Sequence, residues 1–409
     1  MRIKSILTMF LVLMLAACEY PVNVVSTAST ALNVPASAVS ESANLKPSDT
    51  PAPTATTEVP VPSTEPLAKS INPLTGLPVT DPSLLNLPPV LVSISNFPPT
   101  ARPAAGISFC PFVYEFFIGE GMNRFLGVFY GQFPPDVPIS NDPVTIANNT
   151  VGPIRSGRIP FEYIRAMFNG YMVMASAAGN VRSKISDYVN VFGSDLNDDS
   201  SSMMNVNLLK NIAVTAKKEL GPSALSGILF DDQVPEGRKA LSLWVYWSYL
   251  NQAFWRYDET DGRYFLYQDD GTGGAFVPAS DRLTGAPLGV ENVIIVFAKY
   301  RKLKPLVYDI ELMYVKRNDA VLFRDGVMQK IFWTTSGEEY EKQTGKLRPM
   351  RFVDNQGEPV ALKPGHSWVI VVPEYQPLWE TVNSEKYHVL INGKQPGSGY
   401  WGLFLNPPK

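Results

Sequence analysis

From about residue 71 onward, apolar and β-branched residues gather in short runs separated by polar, glycine-rich and proline-rich stretches. The runs predict strands at Val90–Ser95, Phe112–Phe117, Arg124–Tyr130, Tyr171–Ala175 and Gly227–Phe230. Two stretches carry a helical period instead. Phe161, Ile164 and Phe168 share one face of a helix over Phe161–Phe168. Leu208, Leu209, Ile212, Ala213 and Ala216 do so over Asn207–Leu220, with Gly221 and Pro222 as the stop. After the polar connection "DDQVPEGRKA" the pattern turns mainly to strand, with Asp-Gly at 261–262 and 325–326 and Asn-Gly at 392–393 as hairpin turns. The expected fold class is α+β: a mixed sheet-and-helix domain over 71–235, then a smaller β-rich domain over 240–409. "NPLTGLP" and "DRLTGAP" both precede an apolar strand, which reads as shared turn chemistry rather than a duplicated unit.

The first 70 residues follow a different rule. Arg2 and Lys4 precede an apolar run, Ile6 to Ala17, that is too short to span a bilayer but has the length of a secretory signal core. The run ends in Leu15-Ala16-Ala17-Cys18, the pattern of a bacterial lipobox, so residues 1–17 are expected to be a signal peptide and Cys18 the lipidated residue. Acyl chains contribute about 0.8 kcal/mol per buried methylene, so several of them hold a protein at a membrane. Residues 18–70, rich in Ser, Thr, Pro and Ala, cannot bury enough apolar surface to offset ordering entropy and are expected to be a disordered tether. A flexible coil of that length reaches roughly 40 Å. The protein is therefore expected on the extracytoplasmic face of a bacterial cell membrane.

Composition narrows the partners. The formal net charge is −3 and two of the positive charges lie in the signal peptide, so nucleic acid is not expected. With Cys18 lipidated, Cys110 has no disulfide partner and reads as a buried thiol in "ISFCPFVYEFF". No zinc or phosphate-loop spacing occurs, and no metal or cofactor is expected. "NDDSSS" lacks the ligand pattern of a calcium loop and reads as solvated. Of the two histidines, His366 sits at a strand entry, where an exposed or capping role is expected. The aromatics between Trp244 and Tyr257 read as a core between the domains, with sugar stacking as the alternative.

The candidate chemistry lies in "GPIRSGRIP", where Arg155 and Arg158 stand just ahead of a helix whose first turn Pro160 marks. Guanidinium forks suit a carboxylate or a phosphate, and the helix start favours anions. Arg102 and Arg124 are further candidate cations, and Glu115 and Glu120 are possible internal partners. On strand alternation Val113, Glu115 and Phe117 share one face, so an ionised Glu115 would need a partner, for which arginine is the best available. The arginines therefore either clasp Glu115 or Glu120, bind an external anion, or join a carboxylate in catalysis.

The order "NPLTGLP", "PVLVSISNFPPTARPAAGIS", "VYEFFIGEGMNRFLGVF" and "GPIRSGR", then "WRYDETDGRYFLYQDD" through "LKPGHSWVIVVP", resembles the YerB-like family of bacterial lipoproteins, which have two consecutive domains of unknown function. The resemblance covers roughly residues 71–373. It implies a membrane-anchored envelope protein with an α+β N-terminal domain, and no established reaction. Asn123 stands where members tend to have Thr, "SAAGN" replaces a Ser-containing segment, and "SSSMMNVNLLKN" replaces an Arg- and His-containing stretch. The expected function is binding of a cell-wall polymer or an envelope protein through the arginine-rich loop. The alternative is a glycan or peptide hydrolase or transferase using Glu115 or Glu120 as acid/base.

Overall fold

Strands β1 (Val90–Ser95), β2 (Phe112–Gly119) and β3 (Met122–Phe129) pair antiparallel as β2–β3–β1. The structure is a computed structural model, and it describes residues 70–409 except 196, 217–219, 221–222, 273–274, 381–398 and 406–409. The signal peptide, Cys18, the tether up to residue 69, the second histidine (His388) and the turn predicted at 392–393 lie outside the described residues. Beyond β1 the sheet continues through β4 (Thr150–Ile154), while β5 (Tyr171–Met174) runs parallel to β1. Between β4 and β5 lies helix α1 (Ile159–Met167), with Pro160 in its first turn as the sequence predicts. Asn169, in a left-handed conformation, and Gly170 end it. Strand β6 (Ser202–Asn205) closes this edge and leads into α2 (Val206–Thr215), capped by Asn205 and shorter than its predicted span to Leu220.

The segment after residue 240 divides between two sheets. Strands β7 (Ser242–Ser248), β8 (Asn251–Asp258) and β9 (Arg263–Asp269) form the antiparallel heart of a second sheet. Strands β10 (Asn292–Ala298), β11 (Asn318–Arg324), β12 (Val327–Thr334), β13 (Arg351–Val353) and β14 (Ser367–Pro373) instead extend the first one, in the order β13–β12–β11–β10–β14–β2–β3–β1–β4–β6. The joint is a parallel pairing of β14 with β2, Phe112 opposite Ser367 through Phe116 opposite Val371. The predicted strand Gly227–Phe230 narrows to Leu229–Phe230, which pairs with Ala361–Leu362.

Alternation along β2 divides the core. Phe112, Tyr114 and Phe116 pack with Phe161, Ile164 and Phe168 on the α1 side. Val113 faces the other way, into a core shared with Trp247 and Trp255 of the second sheet, Trp368 of β14 and Leu209 of α2. The crowded aromatics are thus spent on packing: Trp247 and Trp255 are fully buried, and Trp244, Tyr246, Phe254 and Phe404 form a small cluster of their own. Only Tyr249 among them stands well out, 60% exposed. Cys110 is buried, which pushes its thiol well up.

The two Leu-Thr-Gly stretches fold alike. Asn72 and Asp281 each accept the amide of the residue two positions on, Leu74 and Leu283, and each turn closes on a left-handed glycine, Gly76 or Gly285. Asp281 does more than close its turn. Its Oδ1 accepts the Gly106 amide at 2.8 Å, and its Oδ2 accepts the Ser108 amide at 2.8 Å and hydroxyl at 2.7 Å. A carboxylate from beyond residue 240 thereby holds the loop before β2.

Candidate functional site

Arginines from three elements meet where β1, β4 and β5 end and α1 begins. Arg124 stands on β3 opposite Phe116 and Ser95, on the α1 side of the sheet. Arg155 directly follows β4: its amide donates to the Ser93 carbonyl at 3.0 Å, and its own carbonyl accepts from Ala175 at the end of β5. Arg158 is the N-cap residue of α1 and gives no side-chain cap. Between them, the Ser156 carbonyl accepts from the Ser93 hydroxyl at 3.2 Å and from Arg124 Nη1 at 3.3 Å. Gly157 is pressed against Met174 so closely that a Cβ would overlap its sulfur. Any side chain at position 157 would therefore have to displace Met174.

No carboxylate pairs with this cluster among the described residues. Arg124 is 4% exposed, its Nε is buried without a hydrogen-bond partner, and the same holds for Nε of Arg158. Arg155 Nη1 donates to the Ser200 carbonyl. Burial, and after it the charges of Arg158 and Arg155, pulls Arg124 well below the ordinary guanidinium range; burial and then Arg155 lower Arg158. Asp198 is the acid whose charge both Arg124 and Arg155 feel, and it forms no ion pair with them. Its carboxylate is turned to its own loop, accepting the Ser200 and Ser201 hydroxyls at 2.5 Å each. The loop read from sequence as solvated exposes Asn197, Asp199 and Ser200 and buries Asp198, Ser201 and Ser202, the two bonded hydroxyls standing in for water around Asp198.

The other expected site residues lie elsewhere. Arg102 is held at the boundary of the second sheet, paired with Asp269 at 2.9 Å and donating to the Asn96 carbonyl and to Asn251 Oδ1. Glu120 is exposed in a left-handed turn between β2 and β3. Glu115 is 1% exposed and meets no arginine fork. Its oxygens accept from Asn123 Nδ2 and from Trp368 Nε1 at 2.7 Å, with Trp247 a further donor. The need for a partner was legible, but neutral donors supply it. Asn123 in turn accepts from Asn96 at 2.9 Å and Asn251 at 3.1 Å, and Gln268 donates to Asn96 at 2.7 Å. This buried amide chain runs from β3 to the second sheet, and of its members the sequence singled out only Asn123. Scattered single amides in apolar runs are its only trace.

His366 backs onto a cleft of about 320 Å³ with Asp81, and burial lowers its imidazole. A wider groove of about 500 Å³ is lined by Tyr163, Tyr300 and Tyr314; there the Tyr163 hydroxyl donates to Asp309 at 2.8 Å, and Arg301 pairs with the same carboxylate. Neither recess includes the arginine cluster. No described helix is long and apolar enough to cross a membrane.

Residues 74–215 match the N-terminal domain, and residues 244–369 the C-terminal domain, of the protein family of unknown function DUF3048. Among solved structures the chain is similar to the YerB protein from Bacillus subtilis, at 24% identity and a TM-score of 0.56, over 74% of this chain and 96% of that one. No curated protein matches the chain.

Proposed function

This chain belongs to the YerB-like family, two consecutive DUF3048 domains, and we propose that it is a lipid-anchored extracytoplasmic protein that binds an anionic group of a cell-wall polymer or an envelope partner. The observation that carries this reading is the set of three arginines, Arg124, Arg155 and Arg158, gathered without a carboxylate partner among the described residues. Bringing like charges together in a partly dry site is unfavourable unless a counter-charge arrives, and bidentate forks at a helix start are well suited to receive one. Glu115 lies sealed beneath tryptophans, out of reach of a substrate, which favours binding over acid/base catalysis.

The binding reading is tested by retention on purified wall material. The Arg155→Ala, Arg158→Ala double variant should lose retention by about tenfold or more while its unfolding midpoint stays within a few degrees of the parent's. Undiminished retention would remove the arginines from the binding site. The anchor has a separate test. Cys18→Ala, expressed in a bacterial host, is expected to move the protein from the membrane to the soluble fraction, and persistent membrane association would discard the lipobox assignment.

A further inference from the structure

We infer that the anionic group taken by Arg124, Arg155 and Arg158 is a phosphoryl group rather than a carboxylate. The inference rests on the binding reading and narrows its ligand. The three arginines are carried by three elements: Arg124 by β3, Arg155 by the end of β4, which it directly follows, and Arg158 by the N-cap of α1. A carboxylate is planar, carries one charge and offers two oxygens, so it satisfies two forks and leaves the third cation uncompensated. A phosphate monoester carries nearly two charges and three tetrahedral acceptor oxygens. Two charges and three acceptors suit three cations better than one charge and two acceptors do.

Three further features point the same way. The Nε atoms of Arg124 and Arg158 are both buried and unbonded, so two forks each keep a donor in reserve. The first turn of α1, nine residues long, contributes the positive end of its dipole. Asp198 is already bound by the hydroxyls and amide of its own loop, and Glu162, in the first turn of α1, by Arg165 and the Ser186 hydroxyl, so neither is the counter-ion of the arginines. Beside the arginines the Ser93 hydroxyl is spent on the Ser156 carbonyl and adds no charge.

The experiment measures thermal unfolding and titration calorimetry of the full chain in detergent, at fixed ionic strength. The probes are inorganic phosphate, poly(glycerol phosphate) as a diester polymer, and acetate and polygalacturonate as carboxylate counterparts. Inorganic phosphate should raise the unfolding midpoint and the carboxylates should not. Response to inorganic phosphate supports the inference; response to the polymer alone, whose diesters carry one charge and two free oxygens as a carboxylate does, would overturn it. Arg158→Gln should weaken phosphate binding about tenfold or more. It should also raise the unfolding midpoint of the ligand-free protein by a few degrees, because it removes one of three mutually repelling charges. Equal response to phosphate and acetate would overturn the phosphoryl assignment and leave anion binding standing. No response to any probe, together with a lowered midpoint for Arg158→Gln, would make the arginines structural and overturn both.

Discussion

Replacing Asp281 with alanine is expected to destabilise the protein by about 3 kcal/mol or more, read as a lowered urea midpoint. The carboxylate is 0% exposed and accepts four hydrogen bonds, from the amides of Gly106, Ser108 and Leu283 and from the Ser108 hydroxyl. Alanine leaves three backbone donors facing a void that no other acceptor fills, and each orphaned buried donor costs about 1–3 kcal/mol. Asp281→Asn should fall between the two, since its amide keeps one acceptor but turns two hydrogens toward donors. Pairing either change with Ser108→Ala in a double-mutant cycle isolates the contact across the chain. A loss within about 0.5 kcal/mol, typical of a surface change, would mean that the loop before β2 is held by its packing alone.

Stability should also fall as pH rises from about 5 to about 8, and Glu115 should account for up to about 3 kcal/mol of that fall. Burial raises its carboxyl from an ordinary value of 4.5 to about 7, against the opposing hydrogen bonds of Trp368, Asn123 and Trp247 and the charge of Arg102. The folded protein therefore holds this proton more tightly than the unfolded chain does. The contribution is complete below about 4.5 and is lost as pH climbs through about 7. Glu115→Gln has no proton to lose. It should pay a fixed penalty for pointing an amide at Asn123 and the indoles, while its stability relative to the parent improves by up to about 3 kcal/mol between pH 5 and pH 8. A difference that stays constant across that range would show that Glu115 keeps an ordinary affinity for its proton in the fold.

The strands and helices were legible to within a few residues because each carries its own period: β1 spans the predicted Val90–Ser95, and α1 begins two residues before its predicted Phe161. The alternation in β2 correctly put Glu115 among inward residues. What the alternation could not supply was the partner. Trp368 lies 253 positions away, and nothing local to either residue announces the contact. The arginine cluster was half legible for a similar reason. The spacing in "RSGR" and the helix start draw Arg155 and Arg158 together, but Arg124 joins them through sheet register, and Arg102, equally suggestive in sequence, is diverted to Asp269. The second sheet hides in the sequence because strands of the same composition enter either sheet, and long-range pairing alone separates them.

The joint between β2 and β14 also sets an order of events. A chain made from its N-terminus completes β1, β2 and β3 roughly 240 residues before Ser367–Pro373 exists. Until then β2 presents an open row of amides and carbonyls, and Val113 and Phe125 await Trp368. Unpaired apolar edges of this kind recruit other chains, and contacts closed over such separations form slowly. The first half of the protein thus spends the interval as an incomplete sheet, and its safe passage to the folded state depends on what covers that edge while the second half is still arriving.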